Sequence, residues 1–217
     1  MDDVIFLLDG HFSRLIIENL FGVNATPFRL QSVCLSSINP SAENPLKAYS
    51  YGRTKQLPIS NNLIDFSKTQ SFFIAKRFQE NLCKNPFFAL RLGRLSFDGW
   101  KASEEAIKEY SIKPKLPKDN DFKPALNQKR VDMMIGMDMT EIALNKKAKR
   151  ILLFTADDDF TPAIEETRKR GLDVVLVTGG VGFVKNELIK ACSDHRKIDL
   201  TKLEKLLNIP LLKIVPT

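Results

Sequence analysis

Three short stretches of the chain are apolar at nearly every position: residues 4–8 (VIFLL), 151–154 (ILLF) and 174–177 (VVLV). Runs this short with polar flanks predict strands buried on both faces, as in a parallel sheet covered by helices. Elsewhere the spacing becomes helical. Leu15, Ile16, Leu20 and Phe21 share one face of a segment that ends near Gly22. Residues 61–84 carry Leu63, Ile64, Phe72, Phe73, Ala75 and Leu82 as a stripe, and residues 128–149 set Val131, Ile135, Ile142 and Leu144 on one side. Pro162 opens a further helix that stops at Gly171, and residues 186–192 predict a short one. Partial alternation assigns residues 28–36 and 87–95 to strands, with a last strand around 197–200. Residues 39–60 and 96–127 lose periodicity and read as insertions; Pro114, Pro117 and Pro124 exclude helix from the second. Strand, turn and helix in alternation predict a doubly wound α/β unit.

Two of the buried strands run straight into acids. Residues 4–8 are followed by Asp9 and Gly10, and residues 151–155 by Asp157, Asp158 and Asp159 after one alanine. Ligands of open α/β sheets bind at the carboxyl ends of the strands. Three adjacent carboxylates repel one another, and helix capping needs only one of them. A divalent cation among them accounts for the rest. The helix at 128–149 holds a second anomaly. Asp138 lies seven residues after Val131, so at about 100° per residue it falls within about 20° of the buried stripe. A carboxylate there requires a partner or a cation. Asp132, near the start of the same helix, also suits the helix dipole.

Composition sharpens this picture. The 217 residues carry 33 Lys and Arg against 26 Asp and Glu, a formal charge of +7, with 43% hydrophobic residues. A basic whole with a local knot of acids suits a metal-dependent nuclease, which needs carboxylates for the ion and cations for the phosphate backbone. Arg53 and Lys55 beside Tyr49 and Tyr51, and Lys113, Lys115 and Lys118 in the proline-rich stretch, are candidate nucleic-acid contacts. The glycine-rich turn at 178–182 matches no complete phosphate-binding motif. Cys34, Cys83 and Cys192 are odd in number and widely spaced, as expected of reduced thiols in a cytoplasmic protein. No run approaches a membrane span, and acids at Asp2 and Asp3 replace the basic start of a secretory signal.

The segments LLDG (7–10), RLGRL (91–95), KRVDMMIGMDMTEIA (129–143), FTADDDF (154–160), RKRGLDVVLV (168–177) and LIKACSDHRKIDL (188–200) together resemble the NYN domain, the LabA-like branch of the PIN-like nuclease superfamily. The resemblance implies a Rossmann-like three-layer α/β/α sandwich with a mostly parallel central sheet. It implies Mg²⁺ or Mn²⁺ as cofactor and single-stranded RNA as the expected partner. Carried over, Asp9, Asp132, Asp157 and Asp159 are the catalytic acids. Asp9, Asp157, Asp159 and Asp138 are the metal ligands, with Asp194 a further acid. The reaction implied is hydrolysis of a phosphodiester by a metal-activated water, leaving a 5′-phosphate and a 3′-hydroxyl. The chain departs from the family pattern at Phe12, where an Asn is usual. The domain is expected over residues 1–200, with an amphipathic tail at 201–217, and a homodimer is compatible with the sequence. Two rivals remain: a catalytically silent NYN-like module that binds RNA or protein, and a haloacid-dehalogenase-like phosphatase using Asp157 and Asp159. The second lacks a later acid pair and has too little chain after the motif.

Overall fold

A computed structural model describes residues 2–22, 26–37, 43–52, 68, 70–114, 118, 121–179 and 183–208. In chain order the elements are β1 (Asp2–Asp9), α1 (Gly10–Phe21), α2 (Pro27–Ser36), β2 (Glu43–Gly52), α3 (Gln70–Lys84), β3 (Phe88–Leu92), β4 (Arg94–Ala102), α4 (Glu104–Ile112), β5 (Phe122–Lys129), α5 (Val131–Leu144), β6 (Arg150–Phe154), α6 (Thr161–Lys169), β7 (Asp173–Thr178), α7 (Asn186–Ala191), β8 (Asp194–Lys197) and α8 (Leu200–Leu207). Six strands form one sheet in the order β3-β2-β1-β6-β7-β8, and every neighbouring pair is parallel. β4 and β5 form a separate antiparallel ribbon.

The central strands are apolar throughout because helices cover both sheet faces. Val4, Phe6 and Leu8 of β1 point to one side, where they join Ile16, Ile17 and Leu20 of α1, Leu30 and Val33 of α2, and Leu203 of α8. Ile5 and Leu7 point to the other, against Val131, Ile135 and Met139 of α5 and Ile164 of α6. Phe6, Phe154 and Phe160 are among the largest fully buried side chains, each contributing about 1.5–3 kcal/mol by leaving water. The predicted three-layer α/β/α sandwich with a parallel sheet is therefore the observed one. Among the described residues no helix is long and apolar enough to cross a membrane.

The chain winds outward from β1 through β2 to β3, then returns to the other side of β1 to lay down β6, β7 and β8. The order reverses between β1 and β6, which pair from Val4↔Arg150 to Leu8↔Phe154. A crevice opens at the carboxyl ends of such a strand pair. Asp9 and Asp157 lie just beyond it. The turn after β7 is held close on the same side of the sheet as α1: a Cβ added at Gly179 would lie 2.8 Å from Ile16. That glycine is needed for packing.

Several expectations are corrected. Residues 28–36 are helix α2, not a strand. Pro27 occupies the first turn, Thr26 Oγ1 accepts the Arg29 N–H at 3.2 Å, and Leu30, Val33 and Cys34 are buried at helical spacing. Its serines satisfy their own hydroxyls, Ser32 on Phe28 O and Ser36 on Val33 O. The expected insertion at 39–60 contains β2, an interior strand. Pro45, read as a turn residue, pairs with Val4 where the β1–β2 register shifts, a place where a strand tolerates proline. The expected irregular stretch at 96–127 holds most of the ribbon and α4; Pro124 pairs with Trp100 beside the ribbon's own register shift. The helix expected over 128–149 starts at Val131, and Leu144 is 58% exposed rather than on its buried face. Phe73, assigned to a core stripe, is 58% exposed, and Leu63 and Ile64 lie outside the described residues. The last strand spans 194–197 rather than 197–200. Of the expected amphipathic tail, residues 200–207 form α8, whose Leu203 is fully buried in the core, and residues 209–217 lie outside the described residues.

Candidate active site

β1 ends in Asp9, which is also the N-cap of α1: its Oδ1 accepts the His11 N–H at 2.9 Å and the Phe12 N–H at 3.5 Å. β6 continues through buried Thr155 to Asp157, which caps a single 3₁₀ turn, residues 158–160, by accepting the Asp159 N–H at 3.0 Å. Thr155 Oγ1 in turn accepts the Asp157 N–H at 3.1 Å. The backbone thus fixes both carboxylates at the tips of neighbouring strands. Tyr51 is the ladder partner of Asp9 in the β1–β2 pair, and residues 180–182 of the glycine-rich turn lie outside the described residues.

Asp132 joins them from the first turn of α5. Its carboxyl is held above its ordinary range, first by desolvation and then by the negative charges of Asp157, Asp9 and Asp159, in that order. Asp132 therefore feels Asp9, Asp157 and Asp159 together, although the four come from three separate segments. Asp158 is turned to other work. Lys185 Nζ lies 2.7 Å from its Oδ2, holding the Asp158 carboxyl below its usual range, while Asp158 pushes the lysine up and Asp159 adds to that push. A cation is thus built into the edge of the acid cluster.

The cluster fits a hard divalent cation by the nature of its donors, all carboxylate oxygens, and by the repulsion visible at Asp132. Ser13 Oγ, one turn into α1 from Asp9, and Thr161 Oγ1, one turn beyond Asp157, make no hydrogen bond among the described residues. Among those residues no three His, Cys, Asp or Glu side chains already converge as a finished metal cage. The arrangement is one of neighbouring charges around a crevice.

Other anticipated residues sit elsewhere. Asp138 is buried on α5, 5% exposed, and forms an ion pair with Arg91 near the end of β3. Six residues after Asp132, it lies about 9 Å further along the helix and roughly 120° around it. Asp194 is exposed at the start of β8, where Arg196 Nε contacts its Oδ2 at 3.1 Å. Lys113 follows α4 and Lys118 donates its N–H to Asp121 Oδ2 at 2.7 Å; both are exposed and belong to the excursion between β4 and β5. Arg53, Lys55 and Lys115 lie outside the described residues. Phe12, the departure from the family pattern, is 6% exposed and packs in the core of the α1 side. Its ring does not replace a polar group at the crevice, and its backbone N–H helps cap Asp9.

Lys185, Ser13 and Thr161 were not signalled by the sequence. Lys185 stands well apart from Asp158 in the chain, and buried hydroxyls one turn into a helix carry no pattern of their own.

A parallel sheet with aspartates gathered at its switch point defines a Rossmann-like α/β class of fold. Within it, the model of the NYN domain matches residues 62–199, and the chain belongs to that family. Asp132, Asp157 and Asp159 lie inside the match; Asp9 joins them by geometry from the preceding β1. A stretch of 99 residues is 30% identical to an uncharacterised protein of Methanocaldococcus jannaschii, covering 43% of this chain and 41% of that protein. The match therefore spans less than half of that relative's length. A protein of unknown function from Vibrio parahaemolyticus has a similar fold, with a TM-score of 0.52, 15% identity, and coverage of 91% of this chain and 93% of that one.

Proposed function

We propose that the protein is a metal-dependent nuclease, and that its substrate is RNA. The observation that carries this reading is Asp132: a carboxyl raised by its own site and by three neighbouring aspartates at a sheet switch point is relieved by a cation. The basic total and the family's nuclease-like character support a polyanionic substrate. Free thiols at Cys34, Cys83 and Cys192 suit the reducing cytoplasm.

Asp9, Asp157 and Asp159 would hold Mg²⁺ or Mn²⁺, which when bound supplies charge neutralisation at the scissile phosphate and a water of lowered pKa. The chain's own residues do the rest. The N–H groups of His11 and Asp159 keep the Asp9 and Asp157 carboxylates oriented without their having to reorganise. Asp132, with its carboxyl pushed up, is the member best suited to take a proton from the attacking water. Lys185 stands at the rim, where a phosphate oxygen can share it with Asp158. Water attacks phosphorus in line, the P–O3′ bond breaks, and the products carry a 5′-phosphate and a 3′-hydroxyl.

Cleavage of labelled single-stranded RNA in Mn²⁺, Mg²⁺ or EDTA tests this, with Asp157→Asn in parallel. Metal-dependent cutting should fall at least 100-fold in the variant. Cutting that survives the substitution sinks the assignment of the site. RNA binding that weakens with salt, with no cutting under any condition, identifies a silent binding module instead.

A further inference from the structure

The ribbon between β3 and α5 forms a sheet of its own. Among the described residues, none from 94 to 129 belongs to the two hydrophobic clusters that build the sandwich. Ser103 N donates to Asp121 O at 2.8 Å and Tyr110 Oη to Asp121 Oδ2 at 2.7 Å, tying α4 to the approach to β5. The charges of this separate sheet follow a pattern of their own.

The register places Arg94 directly opposite Lys129 and Lys101 directly opposite Lys123. Like charges facing each other across a ladder destabilise it. All four residues are exposed. Side-chain alternation puts them on one face with Ser96 and Asn127. Asp98 is held below its usual range by hydrogen bonds from Asn127 and Ser96 and then by Lys129 and Lys101, so one member of each pair acts on it. Lys123 also meets Glu105 at 3.3 Å, both side chains more than two-thirds exposed, a contact weak enough for a phosphate to displace. The base of the ribbon is fixed at the rim that bears the acids. β4 leaves from the carboxyl end of β3 through Gly93, and β5 returns through Arg130 to α5, whose second residue is Asp132. From Arg94 to Lys101 the ribbon reaches about 20 Å at some 3.3 Å per residue.

We propose that this face of the β4–β5 ribbon is a track for single-stranded RNA leading away from the carboxylate crevice. Arg94 and Lys129 grip the backbone near the site, and Lys101 and Lys123 grip it further out. The proposal rests on the nuclease reading and adds where the strand runs. It makes affinity depend on length, because only a strand long enough to span the ribbon meets the distal pair.

The test is fluorescence anisotropy on the full chain carrying Asp157→Asn, in EDTA, across a salt series, with labelled uridine dinucleotide and dodecanucleotide. Lys101→Gln with Lys123→Gln should weaken the dodecanucleotide about tenfold and lower its salt slope by about 1.4, two contacts at about 0.7 each. The dinucleotide should respond far less. Lys76→Gln with Arg77→Gln on α3 removes the same charge from another exposed surface and should leave both ligands within twofold. The track is overturned if the distal variant keeps the parent slope, if the α3 variant loses as much, or if duplex RNA binds as tightly as the single strand. Cutting by the unmodified chain separates the two readings. Ribbon-dependent binding without cutting keeps the track and sinks the nuclease, and cutting indifferent to the ribbon does the reverse.

Discussion

Asp132 shows what the site costs the empty protein. A carboxyl whose folded pKa is raised supports folding fully only below its unfolded value, near 3.9, and that support is lost as pH rises through the folded pKa. At neutral pH the ionised Asp132 therefore works against the fold. Asp132→Asn should raise the melting temperature in EDTA at pH 7 by on the order of 1–2 °C, since the group is partly solvated. The gain should shrink as pH falls and the parent carboxyl protonates. Added Mn²⁺ should stabilise the parent more than the variant. Thermal melts across pH check this, and a lower melting temperature for the variant in EDTA would remove the repulsion on which the site rests. At this scale the sequence was informative where a residue broke its local pattern. Asp9 and Asp157 end apolar strands and Asp138 sits on an apolar helix face, so each announced itself. Their partners did not. Arg91 lies 47 residues from Asp138 and Lys185 lies 27 from Asp158, distances over which only the folded chain can make an introduction.

Among elements, β3 and α5 are joined by the Arg91–Asp138 pair, with Asp138 buried and Arg91 41% exposed. Arg91→Met takes this partner from a buried carboxylate and should cost about 1–3 kcal/mol, less than the about 3–5 kcal/mol of a fully buried pair because water reaches the arginine. Replacing both, Arg91→Met with Asp138→Leu, should recover most of the loss in denaturant unfolding. A single substitution without cost would mean that the rest of Asp138's surroundings already satisfies it. Element types were legible wherever periodicity was pure, as in β1, β6, β7 and α6. They were misread where local chemistry outweighed the pattern. Thr26 and Pro27 start a helix that the alternation of 28–36 had suggested was a strand, and Pro45 hid a central strand because its register shift accommodates it.

For the whole molecule, the alternation of strands and helices was enough to give the layered sandwich, and the strand-end acids enough to mark the sheet edge at which Asp9 and Asp157 sit. The ribbon was invisible for a physical reason: its partner strands are separated by α4 and by prolines, and pairing between them obeys neither a hairpin turn signal nor a continuous apolar pattern. That same independence bears on how the protein opens. An isolated two-stranded sheet is only marginally stable, and β4 and β5 pair with no strand of the six-stranded sheet among the described residues, so the ribbon can come apart while β1, β6 and β7 stay intact. Native-state hydrogen exchange should show this directly, with amides of β4 and β5 exchanging at a free energy well below that of β1, β6 and β7. Equal protection across both sheets would mean that the chain melts as one cooperative unit. If the ribbon does exchange first, a bound strand would slow that exchange, and the protein would carry its own reporter of occupancy in the amides of a single two-stranded ribbon.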